Sequence, residues 1–213
     1  MANPISKLCS NQLPGVLFSS AINPKGQLAI ESREQKTTSF SIFDSKTGKL
    51  ISSTQTNALT PWHSLVAYDE ISLVLSYFKN KQNPDEVSFI RYDPSRDLLM
   101  EEMDFDTIKK QVLVQSSLYL PESENFEIVA QFLHQPIVLG CEYLEQDELI
   151  IICYYLLKEK GFERKLLVLK NGKEVLHEVQ DAEMKGFADG SFFTFQNRLF
   201  FVKEKIELNI YAI

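Results

Sequence analysis

The strongest constraint on this chain is internal repetition. Four segments follow the same order of elements: an apolar run, a polar loop, an alternating run, a tight turn and a last short run. The first is Gln27-Leu28-Ala29-Ile30-Glu31, then Ser39-Phe40-Ser41-Ile42-Phe43-Asp44, a turn through Gly48, and Lys49-Leu50-Ile51-Ser52. The second is Ile71-Ser72-Leu73-Val74-Leu75, Val87-Ser88-Phe89-Ile90-Arg91-Tyr92-Asp93 and Leu98-Leu99-Met100, and the third is Leu149-Ile150-Ile151-Ile152-Cys153, Lys165-Leu166-Leu167-Val168-Leu169 and Glu174-Val175-Leu176. The fourth is compressed, with Phe192-Phe193-Thr194-Phe195, Leu199-Phe200-Phe201-Val202 and Ile206-Glu207-Leu208-Asn209-Ile210. Runs of four to eight residues rich in β-branched and aromatic side chains, bounded by turn residues, read as strands.

The spacing makes the repeat quantitative. Leu28 and Leu73 lie 45 residues apart and Ile150 and Phe193 lie 43 apart, whereas Leu73 and Ile150 are separated by 77. The long middle interval holds extra material over residues 106–135, an insertion or a degenerate unit. Within it, a short helix or strand fits 107–114 after Asp106, and two alternating runs, 115–120 and 126–133, predict a hairpin around the Pro121-Glu122-Ser123-Glu124-Asn125 loop. Additional strands upstream of the apolar runs are expected at 16–22, 62–68 and 137–143, with a weaker one at 184–187. Antiparallel sheets of up to four strands, repeated every 40 to 50 residues, are the signature of a β-propeller. The fold expected is therefore an all-β, small β-propeller-like domain spanning 1–213. Its four antiparallel blades lie near 16–56, 61–105, 136–180 and 184–213, with an incomplete fifth as the other reading of 106–135. Propellers often close by pairing a terminal strand from one end with the blade formed by the other, which protects an exposed edge, so 16–22 and 207–213 are expected to end close together.

Turn chemistry supports these boundaries. Asp44-Ser45-Lys46-Thr47-Gly48 offers a side-chain-capped turn ending on Gly, Asn171-Gly172 is a two-residue hairpin signal, and Asp93-Pro94 opens a turn with φ set by Pro. The stretch Ser41-Ile42-Phe43-Asp44-Ser45-Lys46-Thr47-Gly48-Lys49-Leu50-Ile51 resembles the outer hairpin of WD40 and quinoprotein-type propeller blades. In those, a strand ends in Asp, a Thr-Gly turn follows, and an apolar pair opens the next strand. The Trp-Asp and Gly-His pairs of WD40 repeats are missing, so the resemblance implies a fold and carries over no functional residue.

Composition narrows function by exclusion. Net charge is −7 with acidic residues spread along the chain, and the densest basic spots, Lys79 to Lys81 and Lys109-Lys110, are small. A clustered positive surface for a phosphate backbone is missing, so no nucleic-acid partner is expected. The longest apolar stretch, 149–157, is about half the length of a membrane-spanning helix, and residues 1–15 lack the basic and apolar regions of a signal peptide. Three cysteines, Cys9, Cys141 and Cys153, cannot all pair, which fits a reducing compartment and gives a cytoplasmic reading.

Candidate chemistry is thin. His63, His134 and His177 stand far apart with no second ligand at metal spacing, so no metal or other cofactor is expected. Carboxylates cluster at Glu101, Glu102, Asp104 and Asp106, and again at Glu142, Glu145, Asp147 and Glu148. They raise a hydrolase with carboxylates at the channel mouth as an alternative, although adjacent Glu101 and Glu102 would face opposite sides of a strand. No serine lies in a G-x-S-x-G elbow, and no phosphate-binding Gly loop occurs. The most distinctive local feature is Pro61-Trp62-His63-Ser64, which contains the only tryptophan. Trp62 and His63 are the candidate binding residues. Trp62 is read either as an anchor at a protein-binding surface or as packing between blades. The leading functional reading is a non-enzymatic binding or scaffold module with a protein partner. The alternatives are the hydrolase and a structural subunit of an oligomer.

Overall fold

The computed structural model describes residues 5–79, 86–107, 114–188 and 190–213. The chain divides into two compact units, one of Cys9–Leu113, the other of Val114–Ile213 with the segment up to Leu8. The fold is all-β and propeller-like in its building block, an antiparallel sheet of four or five strands that mostly follow one another in sequence.

The strands are β1 (Ser6–Gln12), β2 (Val16–Ile22), β3 (Gln27–Glu34), β4 (Thr37–Asp44), β5 (Leu50–Thr56), β6 (Ser64–Tyr68), β7 (Leu73–Phe78), β8 (Val87–Asp93) and β9 (Leu98–Met103), then β10 (Val114–Gln115), β11 (Ser117–Tyr119), helix α1 (Glu124–Leu133), β12 (Ile137–Gln146), β13 (Leu149–Lys158), β14 (Gly161–Lys170), β15 (Lys173–Met184), β16 (Phe192–Phe195), β17 (Arg198–Lys203) and β18 (Glu207–Ala212). The Cys9–Leu113 unit holds two four-stranded sheets, ordered β2-β3-β4-β5 and β6-β7-β8-β9. The other unit holds the five-stranded sheet β11-β12-β13-β14-β15 and the strands β18-β17-β16-β10 of a second, whose fifth strand is β1, with Ser6–Leu8 of β1 in this unit.

The turns form as the residues dictate. Asp44 Oδ1 accepts from the backbone N–H of Lys46 (3.1 Å) and Thr47 (2.7 Å), and Gly48 follows at φ 72°. Asn171 and Gly172 both have positive φ, 52° and 69°, matching the twist that a two-residue hairpin loop needs. Asp93 Oδ1 likewise accepts from Ser95 N at 2.9 Å.

The core of the Cys9–Leu113 unit lies between its sheets, where Ala29, Phe40 and Ile42 meet Leu65, Leu73, Leu75 and Tyr92. In the other unit β13 decides the packing. Leu149, Ile151 and Cys153 point one way and join Leu166 and Val168 against Phe192, Leu199, Phe201 and Tyr211. Ile152 and Tyr154 point the other way, with Cys141, Leu167 and Leu169, against Phe126 and Val129 of α1. A strand apolar on both faces must be covered on both faces, and the helix supplies the second cover.

That cover corrects one expectation. The hairpin over 115–120 and 126–133 does not form: Ser117–Tyr119 is a strand, but Glu124–Leu133 is a helix. Phe126, Val129, Ala130 and Leu133 repeat at helical spacing and all pack on the sheet. Ser123 caps the start, its Oγ accepting from Phe126 N at 3.3 Å, and His134 ends it in the left-handed conformation. Of the region 107–114, residues 108–113 lie outside the described residues, as do Lys81, Lys109 and Lys110 of the small basic spots.

Two strand assignments also shift. Met184 ends β15, so 184–187 is no separate strand, and the place beside β16 is taken by β10, with Val114 opposite Thr194. The middle segment therefore gives β10 to one sheet and β11 to the other. At the opposite edge β18 is flanked by β1, a strand from residues 6–12 that the sequence pattern does not mark.

The helix cover has a measurable consequence. Phe126 is 7% exposed whereas Ile128 is 56% exposed. Phe126→Ala is expected to lower unfolding free energy by about 3 kcal/mol, and Ile128→Ala by no more than about 0.5 kcal/mol, in urea titrations. Equal effects would contradict this packing of α1.

Candidate functional site

Within the Cys9–Leu113 unit, an exposed aromatic cluster is assembled on a buried ion pair. Glu31 in β3 is 1% exposed and follows the core residues Leu28, Ala29 and Ile30 directly. Its carboxylate accepts from Ser19 Oγ at 2.8 Å, from Leu65 N at 2.7 Å and from Arg33 Nε at 2.7 Å, with Arg33 Nη2 2.5 Å away. Leu65 lies in β6, the edge strand of the second sheet, so Glu31 satisfies an edge amide across the sheet boundary.

Arg33 continues the network outward. Its Nη1 donates to Pro61 O at 2.9 Å and its Nη2 to His63 O, clamping the backbone on either side of Trp62. The guanidinium also lies over the Phe18 ring, 3.4 Å from Cζ to the centroid. Phe18 is the extra residue of a β-bulge: Leu17 pairs with Ser32 and Ser19 with Glu31, and the residue between has no partner in β3. Bulges of this kind re-aim a side chain, and Phe18 is 53% exposed. The planar, multiply donating guanidinium suits this position in a way an ammonium would not. Gly15 lets the chain enter β2 here, because a Cβ on it would stand 2.7 Å from the Arg33 carbonyl.

The segment carrying Trp62 is a tight turn. His63 N donates to Thr60 O at 3.1 Å, with Pro61 and Trp62 as the central residues, a geometry that Pro favours in the first central place. His63 Nδ1 accepts from Thr60 N at 3.1 Å, which assigns the ring proton to Nε2. The His63 ring stacks on Tyr77, centroids 5.3 Å apart, and Trp62 meets Phe78 edge-on at 6.2 Å. Both partners come from the end of β7. Tyr77 OH donates in turn to Glu102 at 2.5 Å, and Glu102 pairs with Lys79. Trp62 itself is 53% exposed, so the indole is supported from one side and open on the other.

Trp62 and His63, the residues singled out from the sequence, thus lie side by side in one cluster. Phe18, Arg33, Tyr77 and Phe78 were not singled out. The available signal was Glu31-x-Arg33, two opposite charges on the same face of a strand just after the apolar Leu28-Ala29-Ile30, which requires that they pair or face a partner.

The other candidates have different surroundings. Glu101 lies 3.4 Å from Arg91, Glu145 accepts from Tyr143 OH at 2.8 Å, and Glu148 from Asn171 at 2.8 Å. Glu142, 1% exposed, accepts from Ser191 N at 3.1 Å, from Ser191 Oγ and from Ser116 Oγ at 2.7 Å. Glu101, Glu142, Glu145 and Glu148 thus each have a different partner, and Asp147 and Glu148 line one cavity with Lys170. Among the described residues no three His, Cys, Asp or Glu side chains are grouped as metal ligands. His177 meets Tyr154 OH at 2.9 Å, and His134 ends α1. No disulfide joins the cysteines, and burial pushes the Cys153 thiol up to about 12. No described helix is long and apolar enough to cross a membrane.

No protein-family model matches this chain, and no curated protein matches it. Similar solved structures include an uncharacterized protein of Listeria monocytogenes, lmo1340 (11% identity, TM-score 0.30), of which the chain spans 61% while 88% of the chain is covered. The Dos1 propeller is 9% identical with TM-score 0.27, covering 92% of this chain and 67% of that one. The β-propeller domain of the Trilobed protease from Pyrococcus furiosus, described as having an open velcro topology, is 14% identical with TM-score 0.25, covering 92% and 54%.

The cluster makes a pH-dependent expectation. Burial holds the His63 pKa below its ordinary 6.5, and the Arg33 charge acts in the same direction, while the Glu31 carboxylate opposes them. Protonation at Nδ1 would also cost Thr60 N–H its acceptor. The unfolded chain then binds more protons than the folded one between the two pKa values. The His63 contribution to stability is therefore complete above 6.5 and declines as pH falls below it. NMR titration of the ring should give a His63 midpoint below 6.5, and a midpoint above that value would contradict the site geometry.

Proposed function

We propose that this chain is a non-enzymatic, propeller-type binding module whose Phe18, Trp62 and Phe78 face receives a protein partner. The observation carrying the proposal is the combination of exposure and restraint at Trp62. Its side chain is 53% exposed, yet its flanking carbonyls are held by Arg33 and its ring rests on Phe78. A large amphipathic ring already fixed in place loses little side-chain entropy on binding, and this is why Trp recurs at binding hot spots. Phe18, presented by a bulge, extends the same aromatic surface through the Arg33 guanidinium. A reducing, cytoplasmic setting accords with the buried Cys141 and Cys153, which lie on opposite faces of their sheet and cannot bridge.

Affinity capture from native cells with wild-type, Trp62→Ala and Ile71→Ala baits, read by quantitative mass spectrometry, tests this reading. Ile71 is 77% exposed and serves as the surface control. A partner should be recovered at least about tenfold less with Trp62→Ala and undiminished with Ile71→Ala. Equal recovery with all three baits would reject the Trp62 face as the binding surface.

A further inference from the structure

The Val114–Ile213 unit carries an apolar groove that the Trp62 face does not involve. It runs between α1 and its sheet, has a volume of about 280 Å³, and is lined by Tyr119, Ile128, Phe132, Tyr143 and Ile150, among others. Ile128 and Phe132 stand four residues apart on α1 and are 56% and 53% exposed, so they form a ridge along one wall. Phe126, Ala130 and Leu133 turn to the core, and Val129 stands between the two faces, in the core and in the groove floor. Tyr119 and Tyr143, stacked at 6.0 Å and packed only partly buried against the α1–sheet core, form the sheet side of the groove.

None of the described residues lining this groove is basic. Between residues 111 and 157 the sequence contains no Lys and no Arg. Glu122, Glu124, Glu127, Glu145, Asp147 and Glu148 in that stretch are all exposed. Glu124 and Glu127 stand on α1 itself, and Glu145 is tied to the groove wall by the Tyr143 hydroxyl at 2.8 Å. A volume of about 280 Å³ is at the lower limit of small-molecule pockets, roughly 300–1,000 Å³. It is a suitable size for a few aliphatic side chains delivered by a peptide.

We propose that this groove binds a cationic amphipathic segment of a partner protein. The segment's apolar side chains enter between the Ile128–Phe132 ridge and Tyr119, Tyr143 and Ile150, and its basic side chains face Glu124 and Glu145. An acidic rim around apolar pockets selects such a segment twice, by burial of its apolar stripe and by attraction to its flanks. It rejects an acidic segment of equal hydrophobicity through like-charge contact.

The test uses two labelled peptides of roughly four helical turns with Leu at helical spacing, one carrying Lys at all other positions and one carrying Glu. Fluorescence anisotropy is measured with the wild-type chain, with Phe132→Ser, and with Glu124→Gln/Glu145→Gln. Because Phe132 and both glutamates are exposed, the variants should keep the wild-type melting temperature, and Ile128→Ser is the substitute if Phe132→Ser does not. The Lys peptide should bind saturably, the Glu peptide should not, and Phe132→Ser should weaken binding at least about tenfold. The double Gln variant should weaken it and flatten its salt dependence. Failure of the Lys peptide to bind would overturn the proposal. So would equal binding to Phe132→Ser, which would reduce the effect to general attraction between opposite charges. A self-associated chain that dissociates on Phe132→Ser would also overturn it, by making a second copy the occupant.

Discussion

The Glu31 carboxylate ties the two sheets of the Cys9–Leu113 unit to each other and to the turn that carries Trp62. It sits in the second strand of one sheet and receives the Leu65 amide from the edge strand of the next. It also fixes Arg33, which in turn fixes the turn that carries Trp62. Removing one member of a buried, hydrogen-bonded ion pair costs about 3–5 kcal/mol, because the remaining charge is left without compensation. The aromatic cluster therefore depends on the core: its geometry is set from beneath by a group that no partner could touch. Glu142 acts similarly in the other unit. It accepts from Ser191 at the entry to β16 and from Ser116 where the chain passes from β10 to β11. In both units a buried carboxylate satisfies an amide that no β-ladder reaches.

Sheet-on-sheet packing explains why such devices are needed. The middle strands are buried on both faces, as Leu28, Ala29 and Ile30 in β3 and Ile151, Ile152 and Cys153 in β13 show, each no more than 1% exposed. Where sheets stack, edge strands carry amides into the dry boundary, and every one needs an acceptor. In the Val114–Ile213 unit the second face of β13 is covered by a helix instead. The groove beside Ile128 and Phe132 lies between that ten-residue helix and the sheet.

Much of this architecture was legible in the residues. Alternation located the central strands, and Asp44 with Gly48, Asp93-Pro94 and Asn171-Gly172 marked turns whose side-chain chemistry closes them locally. The failures share a cause, since each concerned a segment whose state is fixed by distant contacts. Ser6–Gln12 is polar and mostly exposed, and becomes a strand by pairing with β18. Val114–Gln115 pairs with β16, far along the chain. Residues 126–133 mixed apolar and polar positions closely enough to pass for a strand, and the Ser123 cap with the 126, 129, 130, 133 spacing was the overlooked helical signal. At the candidate site Trp62 stood out by its rarity. Phe18 and Arg33 did not, because their roles come from a bulge and from a charge partner two residues away.

The central claim is that buried carboxylates staple edge amides outside the β-ladders, and that the candidate site stands on one of these staples. Native-state hydrogen exchange of the Leu65 and Ser191 amides measures this directly. Both should exchange as slowly as ladder amides of the neighbouring central strands, and Leu65 should lose that protection in Arg33→Gln more than Leu75, its partner across the β6–β7 pair. Exchange of Leu65 and Ser191 at the rate of exposed loop amides in the wild-type chain would contradict the account.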